Sequence, residues 1–578
     1  MNRKMISLLL AAALLLTVCS GCGASSEEPS ISEAQVSETV SSKETPATET
    51  EEPASVGEVP VEVPESASDS EETAHDTFEP QPAELPLCDE LTSLSILIEA
   101  PDMFGAFLTS WNDSSTLSRA EELTNVHIDW NEVSSQQLSQ QFSLIVASGD
   151  MPDMIRAVDE MYAGGLSAAL DEGVIYDLTD IIEEYGQDYL AAIEIDESTR
   201  KAAIDDEGRR LSVISVQDGF LPVSGTMIRQ DWLDEQGLNT PVTYDDLYDV
   251  LMSFKDAYNC DHTLFVESSL DFQSLSGNLG TVGFNTSGRQ VATHLYQVDG
   301  TVYSSLNQEG YRDYVELLRK FYSSGLINSD FLTESLSPPE TEAVCSQGNA
   351  GVFFAASDKM TTMRSASDDP DFNAVPLASM VTEEGQINNF GNQVSYVAGR
   401  SVSVTTSCDD PELAISWLNF WFTREGSLLA NYGIENDTYE FDANGVPQYT
   451  DKVLNNPDGM AVYAAVAIFG FKEMPAYFDF DRQYNTQPEE ELAAMHFWAE
   501  DMTGANIMPD VSLTAAESDK ISTVLTDIET YATSNIMAFV IGDQDLVEWD
   551  SFVETVEGMG LQTVIDTYQN ALDRYTER

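Results

Sequence analysis

The chain has 578 residues, and its 25 Lys and Arg stand against 100 Asp and Glu for a formal net charge of −75 at pH 7. So strong a negative field argues against a nucleic-acid partner and against adsorption to anionic lipid. The length accommodates two or more large lobes.

Residues 1–22, MNRKMISLLLAAALLLTVCSGC, place Arg3 and Lys4 before an apolar run from Met5 to Val18, then small residues and a cysteine. This is the pattern of an export signal. The run of 14 residues falls short of the roughly 20 that a spanning helix needs, so a retained transmembrane anchor is not expected. A small residue followed by Cys resembles the end of a bacterial lipoprotein signal, in which the cysteine is diacylated, in part with palmitate, and becomes the first residue. Cys22, preceded by Ser20 and Gly21, fits that role better than Cys19, which follows Val18 and stands where the pattern usually has Leu. Two acyl chains give the two-signal anchoring that one chain cannot. The expected location is the extracellular face of the cell membrane.

Residues 23–87 are rich in Glu, Ser, Thr and Pro, with hardly an aromatic apart from Phe78. Such a segment has too little apolar surface to offset the entropy of ordering, so it reads as a disordered acidic stalk. The signal contributes +2 and the stalk −16, leaving about −61 on the body that follows. Cys88, Cys260, Cys345 and Cys408 fall in that body without metal-site spacing; three disulfide pairings are possible, and isolated buried thiols are the simpler reading.

In the body, Leu94 to Ile98 predicts a strand, Ser118 to Leu123 a helix and Val126 to Trp130 a second strand. Gln137 to Ala147 predicts a helix closed by Ser148, Gly149 and Asp150, leading into the short strand Met154 to Ile155. GGLSAALDEGVIYDLTDIIEEYG then predicts a helix, a turn at Gly173 and a helix capped by Asp177 or Thr179. Thr243 is expected to cap a helix from Tyr244 to Phe254, and Gly351 to Ala355 to form a strand. Val402 and Val404 alternate as in a half-buried strand. Asp409 or Asp410 can cap the helix that follows, with Pro411 suited to its first position. That helix shows almost no polar face, so Trp417 and its neighbours are assigned to core, as is Trp232. Strands separated by helices indicate α/β lobes with largely parallel sheets.

Five histidines, His75, His127, His262, His294 and His496, show no paired ligand spacing, and neither G-x-S-x-G, nor a P-loop, nor G-x-G-x-x-G occurs. A binder rather than an enzyme is expected, with no cofactor.

ASGDMPDM at 147–154, RQDWLDEQGLNTPVTYDDLYDVLMSFK at 229–255, YVELLRKFYSSGLINSDFLTE at 314–334, the stretch 393–439 and IGDQDLVEWDSFVETVEGMGLQTVIDTYQNALDRY at 541–575, in that order, resemble bacterial extracellular solute-binding proteins of the family 1 type. These are lipoprotein receptors of carbohydrate ABC importers, and the C-terminus is similar to that of their long subgroup. The resemblance implies a two-lobed, periplasmic-binding-protein-like α/β fold of the class II type, with discontinuous lobes joined by hinge-crossing segments. It implies a monomer that delivers an oligosaccharide to ABC permease subunits, touches the membrane through its lipid and binds no nucleic acid. Residues 88–222 and 395–505 are expected to form the first lobe, and 223–394 and 506–578 the second. Members of the long subgroup often carry an EF-hand-like calcium loop after the helix corresponding to 244–254. DAYNCDHTLF at 256–265 lacks its glycine and closing acid, so no metal is expected there. FDANGVPQYTD at 441–451 reads instead as a β-turn at Asn444 and Gly445.

Sugar recognition needs aromatic faces for ring CH patches and planar polar groups for adjacent hydroxyls. The loop after the first strand offers Asp102, Phe104 and Trp111, and the loop after Ile155 offers Arg156, Asp159, Glu160 and Tyr162. Asp218 and Phe220 lie in an expected inter-lobe connection, and Asn392 and Gln393 near the expected hinge floor. AIFGFKEMPAYFDFDRQYN at 467–485 supplies Phe469, Phe471, Tyr477, Phe478 and Arg482 as an expected aromatic wall. The body's charge favours neutral oligosaccharides over uronates unless a local basic cleft overrides it. A receptor for peptides or other polar solutes, or a cell-surface hydrolase or adhesin, are the alternatives.

Overall fold

Alternation along Thr92–Glu99 puts Leu94, Ile96 and Ile98 on one face and Leu97 on the other, all buried, which suits a strand covered on both sides. In the computed structural model it is central: the first sheet has the order Val402–Val404, Met154–Arg156, Thr92–Glu99, Val126–Val133. Thr92–Glu99 runs parallel to both its neighbours, and Val402–Val404 is antiparallel to Met154–Arg156. The structure describes residues 78–258, 260, 262–265, 279, 294–328, 331, 338–383, 385–390, 396–397, 399, 401–480, 482, 486–501 and 503–578. Cys22, most of the stalk, Asn392, Gln393 and part of the 256–265 segment lie outside the described residues.

One face of this sheet packs on the helix Pro411–Phe420, the other on Leu138–Ser148. Asp410 caps the former, its carboxylate accepting from the Leu413 amide at 3.0 Å, with Pro411 in the first turn. Trp417 is 1% exposed and Trp421, which caps the helix end, is fully buried, so only a narrow stripe that includes Glu412 and Ser416 reaches solvent. The two tryptophans meet edge to face at 5.8 Å.

The second sheet has the order Ala374–Pro376, Ser224–Arg229, Ala350–Ala356, His262–Leu264. It is mixed rather than largely parallel. Ser224–Arg229, entering from the crossing between lobes, runs opposite to both strands beside it, and only His262–Leu264 runs parallel to its neighbour. Thr243 and Asp246 cap Tyr244–Tyr258 reciprocally, and the helix continues past Phe254 to carry Tyr258 onto Trp232 in a stack at 4.0 Å. The C-terminal helices Ala515–Ile541, Trp549–Met559 and Leu561–Glu577 close this core together with Glu309–Ser323.

The helix Glu489–Asp501 corrects the expected boundary near 505. Trp498 donates from Nε1 to the Thr226 carbonyl at 3.2 Å, and Asp501 accepts from the Ser379 amide at 2.8 Å, so the helix packs on the second sheet. Three chain segments run side by side where the lobes join. Val213 and Val402 exchange two backbone bonds of 2.9 Å, the Gln217 amide reaches the Tyr396 carbonyl at 2.8 Å, and on the other edge the Val216 amide reaches Ala476 at 3.0 Å. Tyr477–Phe478 pairs in parallel with Val216–Gln217 to complete this ribbon. Cys88, Cys260, Cys345 and Cys408 are free thiols, and Asn444–Gly445 forms the turn of a hairpin between Tyr439–Phe441 and Pro447–Tyr449, with Gly445 at φ +85°.

Candidate functional site

A cavity of about 550 Å³ opens beside the ribbon, within the size range of small-molecule sites. Its first wall belongs to the first lobe. The strand Met154–Arg156 ends in a left-handed turn at Ala157 (φ +57°), and the helix Val158–Met161 follows, so Asp159, Glu160 and Tyr162 are delivered to the cavity. Ser401 of the ribbon donates its hydroxyl to Asp159, fixing that carboxylate, and Ser401, Gly399 and Val397 form the floor. Tyr162 donates its hydroxyl to Glu172 at 2.7 Å; burial first and this carboxylate second push the phenol up to about 12. Its ring stands edge-on to Phe142 at 6.2 Å. The opposite wall is the connector Met508 to Leu513 and Tyr568 on the C-terminal helix, both part of the second lobe.

The sequence-predicted residues separate into three groups. Asp159, Glu160 and Tyr162 come together in the cavity. Arg156 stands at the end of its strand with its guanidinium between two carboxylates: it pairs with Glu99, donates to the Glu473 carbonyl at 3.1 Å and meets the Glu473 carboxylate at 3.5 Å. Asp102 is exposed on a short 3-10 turn, with Phe104 half-buried against the first-lobe core. Asp218 braces the ribbon, accepting from the Phe480 amide at 2.6 Å and the Tyr477 hydroxyl at 3.2 Å, and Phe220 is half-buried just beyond it.

The other described candidates pack within the body and do not line the cavity, which corrects the expected aromatic wall. Trp111 is 2% exposed, its indole N–H donated to the Glu99 carbonyl at 2.7 Å. Phe471, 1% exposed, lies against Trp111, Trp130 and Trp421. Phe469 packs under Lys452, and Tyr477 and Phe478 are buried in the ribbon. Arg482 is buried over the Phe478 ring and donates to Asn431 at 2.8 Å; burial pushes its guanidinium below the ordinary value. Side chains committed in this way to the ribbon and to the first-lobe core have no face left for the cavity.

Sequence reasoning missed the turn Ala203 to Leu211, the connector Met508 to Leu513 and Tyr568, all of which line the cavity. The only local signals were Pro509 and the capping box of Thr514 and Glu517, which mark a loop entering a helix but not what the loop faces.

Two α/β lobes joined by a ribbon of three crossing segments, with a cavity touching both lobes and the ribbon, define a two-lobed, periplasmic-binding-protein-like receptor fold. The chain belongs to the bacterial extracellular solute-binding proteins, whose family model matches residues 118–427. It is similar to the fructooligosaccharide ABC transporter substrate-binding protein FusA of Streptococcus pneumoniae serotype 4, 22% identical over 497 residues that span 80% of this chain and 87% of that one. It is also similar to the polygalacturonan/rhamnogalacturonan-binding protein YtcQ of Bacillus subtilis strain 168, 22% identical over 79% of this chain and 87% of that one. Among solved structures, an HMO-binding, ABC-transporter-associated solute-binding protein from Bifidobacterium longum infantis superposes with a TM-score of 0.69 at 17% identity, covering 85% of this chain and all of the other.

Proposed function

We propose that this protein is a lipid-anchored extracellular receptor that captures an oligosaccharide between its lobes and delivers it to the permease of an ABC importer. The observation that carries the reading is the cavity bounded by both lobes and floored by the ribbon, because a solute held there touches both bodies that a hinge would bring together. Membership of the solute-binding family and the sugar ligands named for FusA and YtcQ support the same class. Asp159 and Glu160 accept hydrogen bonds from hydroxyls, and Tyr162 offers a ring rather than a free hydroxyl. No step of covalent chemistry is assigned to these groups.

Cys22, diacylated after export, anchors the chain on the outer face, and the segment that follows it carries the body away from the bilayer. The expected stalk end at 87 is too late, because Phe78, Leu85 and Leu87 pack on the first lobe and the Ala83 amide donates to Glu425 at 2.7 Å. Thermal-shift screening against an oligosaccharide library tests the ligand class: at least one sugar raises the melting temperature saturably and is recovered intact. Turnover of that sugar, or stabilisation only by peptides, contradicts it. Labelling with an alkyne fatty acid tests the anchor, and the label is lost in Cys22→Ala.

A further inference from the structure

The lining of the cavity has a charge pattern that deepens the receptor reading and rests on it. Among the described residues, its acidic side chains are Asp159, Glu160, Asp205 and Asp510, and its basic ones are Arg209 and Arg578. Both bases are already committed. Arg209 donates to Asp205 at 2.8 Å and to Glu207 at 2.9 Å, and these carboxylates hold its guanidinium above the ordinary value against the effect of burial. Arg578 donates to Asp206 at 2.9 and 2.6 Å and to the Lys201 carbonyl at 3.2 Å. A uronate entering the cavity would meet like charge and find both guanidinium groups occupied, whereas a hydroxyl donates readily to carboxylates.

The aromatic side chains among the lining residues are Tyr162 and Tyr568, one from each lobe. An aromatic ring presents a face to the CH patch of a sugar ring, and two such rings on opposite bodies are used together only when the lobes close on one ligand. We infer that the ligand is a short, uncharged oligosaccharide lodged against Tyr162 of the first lobe and Tyr568 of the second. The body's overall charge points the same way; the cavity assigns the selectivity to particular groups.

The test is calorimetry on the full chain in detergent, with uncharged tri- to pentasaccharides of fructose, glucose and galactose and with trigalacturonate as probes. At least one uncharged probe binds saturably, and trigalacturonate binds about a hundredfold more weakly or not at all. Tyr568→Ala weakens the uncharged probe about tenfold, while Tyr568→Phe, which keeps the ring, holds it within about twofold. Asp205→Asn combined with Glu207→Gln removes both carboxylates that hold Arg209 and strengthens trigalacturonate about tenfold, a gain that a misfolded variant cannot mimic. Trigalacturonate binding as tightly as the uncharged probes, or the double variant gaining nothing, overturns the inference and leaves the receptor reading standing. Silence from both classes overturns both.

Discussion

Asp206, on the turn after the first-lobe helix Glu197–Ala202, accepts two hydrogen bonds from Arg578 on the second lobe, at 2.9 and 2.6 Å. Arg574, one turn earlier on the C-terminal helix, bonds the other oxygen of Asp206 and also grips Glu517 at 2.9 and 2.7 Å. Lys201 completes the contact by reaching the Thr576 carbonyl at 3.3 Å. The end of the chain is thus clasped to the opposite lobe beside the cavity.

Asp206 is 12% exposed and Arg578 only 3%, so removing the carboxylate leaves Arg578 buried with the Lys201 carbonyl alone, while Arg574 keeps Glu517. Asp206→Ala is expected to destabilise the body by about 3 kcal/mol in urea unfolding. Small-angle scattering of the same ligand-free variant shows an altered radius of gyration if the clasp sets the lobe angle. An unchanged radius would mean that the ribbon alone sets it.

Glu517 gives the clasp a pH dependence. Burial would raise its carboxyl, but Arg574 and the cap at Thr514 hold it below the ordinary value. A depressed folded pKa means the stabilisation is present above the unfolded value of about 4.3 and is lost as pH falls through the folded one. Chemical denaturation between pH 6 and 3 shows that slope, and Glu517→Gln flattens it.

His127 has the opposite sign. Its hydrogen bond from Nδ1 to Glu121, 2.6 Å long, is the main cause raising it above the ordinary histidine value, with Asp129 adding to it and burial opposing. A raised folded pKa gives a contribution fully present below the unfolded value of about 6.5 and lost as pH rises through the folded one. An NMR titration places the His127 midpoint above that of a model peptide, and Glu121→Gln brings it down.

Gly225, the second residue of the strand Ser224–Arg229, lies under Trp498, where an added Cβ would stand 2.3 Å from the indole ring. No rotamer of a buried Trp yields that much space, so Gly225→Ala displaces the helix Glu489–Asp501. The expected cost is about 1–3 kcal/mol, measured by denaturant midpoint, with a shifted tryptophan emission.

Local pattern made much of the first lobe legible. The apolar run Leu94 to Ile98 marks a strand, though not its central place in the sheet, and Asp410 with Pro411 marks the start of the helix that carries Trp417. Asp159, Glu160 and Tyr162 line the cavity because they follow a strand end, a position that sequence order reveals. The aromatic run 467–485 was not legible in the same way. A stripe of Phe and Tyr has the same pattern whether it faces a ligand or the indoles of Trp111 and Trp421, and the second is what Phe471 does. Tyr568 and the connector after Met508 carry no such signal because they share the cavity with Asp159 to Ser167, more than 300 positions earlier in the chain.

The central claim, capture of an intact oligosaccharide between the lobes, is tested most directly by calorimetric titration of the full chain with the sugar found by screening, followed by mass spectrometry of the recovered ligand. The account predicts a saturable one-site isotherm, unaltered sugar, and an affinity lowered by both Asp159→Ala on the first lobe and Tyr568→Ala on the second. A cleaved product, or a ligand indifferent to both substitutions, would contradict it.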